Sequence, residues 1–217
     1  MIKAVIFDMD GVISDTQKVH AEMESKILKT YGIDISPDEI TRTHGGISDR
    51  DFFPRVFSDF KKEVPQDIDS VNEKKLEAIA RALRGNVVPI PGVKNLINIL
   101  KIEGFPLGVA SGSGPELINL ILSELGIRDE FDEITSSEEV ERGKPDPAVF
   151  LLAAKKLNSK PNECLVIEDG VNGMIAAKNA GMKCIGLVPE KDADVYPADL
   201  LVQSLEEISI ESIRKLE

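Results

Sequence analysis

The sequence predicts an α/β fold: an open parallel sheet covered by helices, with an all-helical domain inserted after the first strand. Three observations predict it. Short apolar runs recur at Ile2–Phe7, Pro106–Ala110, Cys164–Ile167 and Cys184–Leu187. Segments with apolar residues at helical period lie between them, as in crossovers joining parallel strands. One long stretch, 16–84, breaks this alternation because it is helical throughout and holds no convincing strand.

The elements follow in order. Ile2–Phe7 is the first strand and runs into the string VIFDMDGV. The helical insert is bounded by turn residues, Gly11 on one side and Gly85, Pro89, Pro91 and Gly92 on the other. The expected division is a core of residues 1–15 and 85–217 and an inserted domain of 16–84; two linkers permit hinge motion. Val93–Glu103 carries apolar residues at 93, 96, 97 and 100 and closes at Gly104. The second strand, Pro106–Ala110, leads into Ser111 and a helix over Glu116–Leu125, which closes at Gly126. Phe131–Ile134 is too short to place. Helices over Pro147–Leu157 and Val171–Ala180 flank the third strand, Cys164–Ile167, and Cys184–Leu187 is the fourth. Leu200–Val202 is a weaker fifth.

Composition excludes several classes. The chain has 217 residues and a formal net charge of -12, so it has no basic surface suited to neutralising the phosphates of a nucleic acid. No apolar stretch reaches the ~18 residues of a membrane span. The start, Met1-Ile2-Lys3, enters the first strand without the apolar core and cleavage site of a secretory leader, so a cytoplasmic protein is expected. Cys164 and Cys184 stand apart inside apolar runs and read as buried free thiols. The expected state is a monomer or weak homo-oligomer.

The chemistry concentrates at strand ends. Asp8 and Asp10 end the first strand, and residues two apart on a strand face one way. The carboxyl ends of parallel strands are where open α/β sheets bind ligands. A second acid pair, Glu168 and Asp169, ends the third strand in CLVIEDG. Crowded carboxylates need a cation or a proton. Several oxygen donors suit magnesium, whereas His20 and His44 are too few for a typical zinc site. Ser111 and Gly112 in SGSG offer a hydroxyl and backbone N–H groups ahead of a helix, a seat for a phosphate. Lys144 stands in RGKPDP, just before a helix start. Lys74 and Lys75 read as a solvated helix face.

In order and spacing, the strings DMDGVISDT (8–16), VASGS (109–113), GKPDPAVF (143–150) and VIEDGVNGMIAAKNAGM (166–182) resemble the motifs of the haloacid dehalogenase-like superfamily. The resemblance spans the chain. The insert after the first motif is similar to the helical cap of the β-phosphoglucomutase and phosphoglycolate phosphatase subgroup. It implies a Rossmann-like core. It also implies a nucleophile, Asp8, that forms an aspartyl-phosphate, and an acid–base, Asp10. Magnesium would be held by Asp8, the Asp10 carbonyl and Asp169, with Glu168 nearby. Ser111, Gly112 and Lys144 would hold the phosphoryl oxygens. An acid two residues after the nucleophile is absent from the dehalogenase branch, so Asp10 favours phosphoryl chemistry. The family's E-D-S is Glu168-Asp169-Gly170 here.

The insert is less decisive. Asp15, Thr16 and His20 follow the first motif at a spacing similar to the mutase. HGGISDRDF (44–52) resembles its specificity loop, with Gly46 matching. Where the mutase has an Arg that grips a distal phosphate, this chain has Asp49, with Arg50 next; Glu24 stands where the mutase has Trp. These departures favour a hydrolase of a small phosphorylated metabolite, with His20, His44, Gly46 and Arg50 as candidates for substrate contact. A sugar-phosphate mutase is the alternative. A phosphate-accepting signalling receiver is the distant one, opposed by the chain length and the helical insert.

Overall fold

The computed structural model describes residues 1–217. Strands β1 (Ala4–Phe7), β2 (Leu107–Ser111), β3 (Glu133–Ser136), β4 (Cys164–Glu168), β5 (Lys183–Leu187) and β6 (Leu200–Val202) form one parallel sheet. The order is β3-β2-β1-β4-β5-β6. The chain therefore winds outward in opposite directions from the β1/β4 pair, and a crevice opens beyond the carboxyl ends of those two strands.

Four helices follow β1: α1 (Gln17–Thr30), α2 (Pro37–His44), α3 (Asp49–Asp59) and α4 (Ile68–Leu83). The crossovers are α5 (Val93–Ile102), α6 (Pro115–Glu124), α7 (Ala148–Lys156) and α8 (Val171–Asn179), and α9 (Ile210–Arg214) ends the fold. No helix is long and apolar enough to cross a membrane.

Strand alternation explains the layering. Val5, Phe7, Leu165 and Ile167 face one apolar cluster with α5, α6 and Ile213 of α9. Ala4, Ile6, Cys164 and Val166 face the other, with α7 and α8. Strands buried on both faces read as continuous apolar runs, which is why β1, β2 and β4 were legible. Both cysteines are buried and unpaired. The inserted helices have an apolar centre of their own, with Leu28, Phe53, Val56 and Phe57 at its heart, while Ile79 and Leu83 of α4 join the sheet-side cluster.

Three local differences from expectation have physical reasons. The unplaced run is the edge strand β3, shifted to Glu133–Ser136; Phe131 precedes it and packs edge-to-face on Phe7 at 5.7 Å. Ser111 is the last residue of β2 and pairs with Ser136, so it lies in the strand and not past it. β1 stops at Phe7, so Asp8 and Asp10 do not share a strand face. The chain instead curls over Met9–Ser14, where the amides of Ile13 and Ser14 both donate to the Met9 carbonyl.

Candidate active site

The crevice beyond β1 and β4 is roofed by the inserted helices. The resulting cleft of ≈ 560 Å³, open mouth included, is lined by Asp8 and Asp10 below and by His20, Glu24 and Asp49 above, with Gly46, Gly112 and Ser113 at its waist.

Asp8 continues the β1 ladder, its amide donating to the Ile167 carbonyl at 2.9 Å. Its carboxylate is 5 % exposed and accepts from Lys144 Nζ at 2.5 Å. Lys144 also donates to Glu168 Oε1 at 2.9 Å and lies 4.8 Å from the centre of the Phe150 ring. An ammonium this buried persists only among carboxylates. Asp8 and Glu168 raise its affinity for a proton against the cost of burial.

Carboxylates outnumber cations here. Asp8, Glu168 and Asp169 each offer an oxygen, all within 4.8 Å of one another. Burial above all, then the Glu168 and Asp10 charges, push the Asp8 carboxyl up to about 7 despite Lys144. Burial, Glu168 and Asp8 likewise push Asp169 well above the usual range. Such a cluster is short of positive charge, and its all-oxygen donor set fits a hard divalent ion. Two glycines give it room. Gly11 has φ +90, and a Cβ there would run into the Asp169 carboxylate; one at Gly173 would run into Glu168.

Asp10 reaches the cleft from the loop. Its carboxylate accepts from the Thr16 hydroxyl through Oδ1 and from the Ser113 hydroxyl at 3.2 Å through Oδ2. Ser111 Oγ is 3.5 Å away and accepts from the Ser113 amide at 3.0 Å. The Gln17 amide nitrogen donates to the Asp10 carbonyl at 3.0 Å and also to Asp169. One side chain thus ties together two groups that the motifs assign to an ion.

The roof corrects one expectation outright. Lys75 is not on a solvated face: its side chain has 0 % exposure. It donates to Glu24 Oε1 at 3.0 Å and Asp49 Oδ1 at 2.8 Å. Ile68, Lys75, Ile79 and Leu83 form the buried stripe of α4, a helical spacing that was a readable signal. Lys75, with His20 beside it, holds Asp49 below the usual carboxylate range against the cost of its burial.

The other candidates divide. His20 stands between the two acids, Nε2 3.9 Å from Asp10 and Nδ1 3.9 Å from Asp49. Gly46 and His44 line the cleft, and His44 contacts Asp59 at 3.2 Å. Arg50 does not line it. Its guanidinium donates to the Val140 and Glu141 carbonyls at 3.2 and 2.7 Å, so it latches the inserted helices to the core. The Asp49 amide does the same to the Gly112 carbonyl at 3.2 Å. Gln17, Ser113, Glu24 and Lys75 were missed as site residues, because their partners are brought in by the fold.

A family model described as haloacid dehalogenase-like hydrolase matches residues 2–181. Hexitol phosphatase B of Escherichia coli (strain K12) is 34% identical over 98% of this chain and 96% of its own. The β-phosphoglucomutase of Bacillus subtilis (strain 168) is 32% identical over 99% and 95%. The crystal structure of a β-phosphoglucomutase from Clostridium difficile superimposes with a TM-score of 0.86 at 30% identity, covering 100% of this chain and 97% of that one. The chain belongs to the haloacid dehalogenase-like hydrolase family, as a phosphatase-type member with a helical insertion after its first strand.

Proposed function

We propose that this chain is a magnesium-dependent phosphatase of a small phosphate monoester, acting through an aspartyl-phosphate on Asp8, with residues 16–84 as the cap over a core of 1–15 and 85–217. The similar proteins include both a phosphatase and a mutase, so the choice rests on the site. One observation carries it: apart from Lys144, which lies behind Asp8 at the floor, no Lys or Arg is available to the cleft, and the two carboxylates of the roof are matched by a single ammonium behind them. A mutase must hold a molecule bearing two phosphates while the phosphoryl group moves between oxygens. A roof with a formal excess of one negative charge offers the second phosphate no partner.

Each residue has a part. An Asp8 carboxylate oxygen attacks phosphorus, and the bond to the ester oxygen breaks. The leaving oxygen takes its proton from Asp10. Water then attacks phosphorus while Asp10 takes the proton back, and the bond to Asp8 breaks to restore the carboxylate. Ser111, Lys144 and the Gly112 N–H hold the phosphoryl oxygens in place. Asp8, Asp169 and the Asp10 carbonyl would hold magnesium, with Glu168 beside them. The ion supplies charge neutralisation of the phosphoryl group.

Phosphorus NMR tests the reading. With magnesium and a panel of phosphoglycolate, several sugar phosphates and β-glucose 1-phosphate, inorganic phosphate is expected from at least one member. Glucose 6-phosphate appearing without inorganic phosphate would make the chain a mutase instead.

The acid cluster adds a stability prediction. Burial and the neighbouring carboxylates raise the pKa values of Asp8 and Asp169, so between the ordinary 3.8 and about 7 the native state binds more protons than the unfolded chain. That contribution is present at low pH and is lost as pH rises through this window. A bound magnesium ion would supply the positive charge that the proton otherwise brings. With a chelator, the urea midpoint should gain less, or fall more, between about pH 5 and about pH 8 than it does with magnesium. Parallel pH profiles in the two conditions would contradict a metal site at these carboxylates.

A further inference from the structure

Two buried polar atoms of residues that line the cleft have no hydrogen-bond partner: Asp49 Oδ2 and His20 Nε2. Buried polar atoms are nearly always satisfied, so each such exception needs a reason. His20 lies beside Asp10 and is accounted for by the reacting end of the cleft. Asp49 lies across the same ring, 3.9 Å from His20 Nδ1, and no catalytic step uses it.

The surroundings of Asp49 are built, not incidental. Its residue is 9 % exposed. Oδ1 is fixed by the wholly buried Lys75 ammonium at 2.8 Å, which also grips Glu24 at 3.0 Å. Phe52 and Phe53 lie 5.4 and 5.5 Å from that ammonium and close off its other side. The Asp49 amide is pinned to the Gly112 carbonyl at 3.2 Å, beside the phosphate seat. The Ser113 hydroxyl lies close enough to favour the Asp49 carboxylate, but its single proton is directed at Asp10, 3.2 Å away. With Oδ1 and the backbone both fixed, Oδ2 is left as a rigid, desolvated acceptor in the cleft wall.

A carboxylate oxygen of this kind accepts a hydrogen bond and repels an anion. Two carboxylates against one ammonium leave the roof with one formal negative charge, and no cation of the cleft lining offsets it. The group that satisfies it is a donor without negative charge, which in a polyol or sugar phosphate is a hydroxyl. We infer that Asp49, clamped by Lys75, is a specificity-determining residue that reads a hydroxyl on the organic part of the substrate, selecting polyol or sugar monophosphates over alkyl, carboxylated or doubly phosphorylated esters. This rests on the phosphatase reading above and narrows its substrate class. Of the two substrate types that the sequence left open, it favours the sugar phosphate over a phosphoglycolate-like acid.

The size of the effect follows from the chemistry. A site built around a substrate hydroxyl rejects the analogue lacking it by up to ~10⁴-fold, because the buried acceptor is then left unpaired. Hydrogen bonds to a charged group contribute ~1.5–3 kcal/mol, so a preference of roughly 10- to 100-fold is the minimum expected.

The test uses the magnesium-loaded enzyme and compares kcat/KM for sorbitol 6-phosphate, hexyl phosphate, phosphoglycolate and fructose 1,6-bisphosphate. The wild type should favour the polyol phosphate over hexyl phosphate by at least about tenfold, and over the two more highly charged esters as well. Asp49→Asn should cut the polyol-to-alkyl ratio by about tenfold or more, and Asp49→Arg should raise the bisphosphate-to-polyol ratio. Lys75→Arg, which keeps the charge, should retain more of the polyol preference than Lys75→Met. A wild-type ratio near one overturns the inference without recourse to any variant. So does an Asp49→Asn protein with a normal unfolding transition and an unchanged ratio. If no ester releases phosphate and Asp8→Asn matches the wild type, the phosphatase reading itself has failed.

Discussion

Asp8→Asn should abolish phosphate release, by about 10⁴- to 10⁶-fold, the scale on which loss of a nucleophile acts in other enzymes. The amide is nearly the same shape as the carboxylate, so packing among Lys144, Glu168 and the β1 ladder is retained. What disappears is the anionic oxygen that attacks phosphorus. An amide oxygen is a poor nucleophile and gives no stable acyl phosphate. Removing one negative charge from a crowded cluster also relieves repulsion with Glu168 and Asp10, both of which raise the Asp8 pKa in the wild type. The variant should therefore remain folded while inactive. Circular dichroism and an unfolding transition beside the assay check both halves. Residual activity above about a tenth of wild type would remove Asp8 from the mechanism.

Asp10→Asn should cost ~10²–10⁴-fold, the range of a general acid–base. Thr16 and Ser113 hold the Asp10 carboxylate over the cleft, so the group is oriented before substrate arrives. The loss should depend on the leaving group. An alkoxide needs a proton as it departs, whereas a nitrophenolate does not. With p-nitrophenyl phosphate the variant should release about one equivalent of nitrophenol per enzyme quickly. It should then slow, because the same residue activates water for the second step. Equal losses for alkyl and nitrophenyl esters, with no burst, would contradict the double role.

The frame and the catalytic floor were legible because they depend on short strings. Continuous apolar runs mark strands buried on both faces, and acids at their ends mark the crevice. The edge strand was not legible: Glu133-Ile134-Thr135-Ser136 carries a single strongly apolar residue and takes its partner from β2. Asp8 and Asp10 do meet, although through the Met9–Ser14 curl and not through a shared strand face. The roof was harder, because its partners lie far apart in the chain. Lys75 pairs with residues 51 and 26 positions away, and residue type alone suggested a solvated lysine. Arg50, the natural candidate for gripping substrate, bonds carbonyls 90 and 91 positions away. Asp49 was read as an acid standing where the mutase has its phosphate-gripping Arg. The structure shows it paired with Lys75, so the excess charge is that of the Glu24–Lys75–Asp49 group and not of one free acid.

The most direct test of the central claim is to trap the covalent intermediate on the magnesium-loaded enzyme. Substrate is added, the reaction is quenched within one turnover, and borohydride reduces any acyl phosphate to the alcohol before peptide mass spectrometry. The account predicts homoserine at position 8, dependent on both substrate and magnesium, and absent from Asp8→Asn. Reduction at Asp10 or Asp169 instead, or no reduced residue in an enzyme that is turning over, would contradict nucleophilic attack by Asp8.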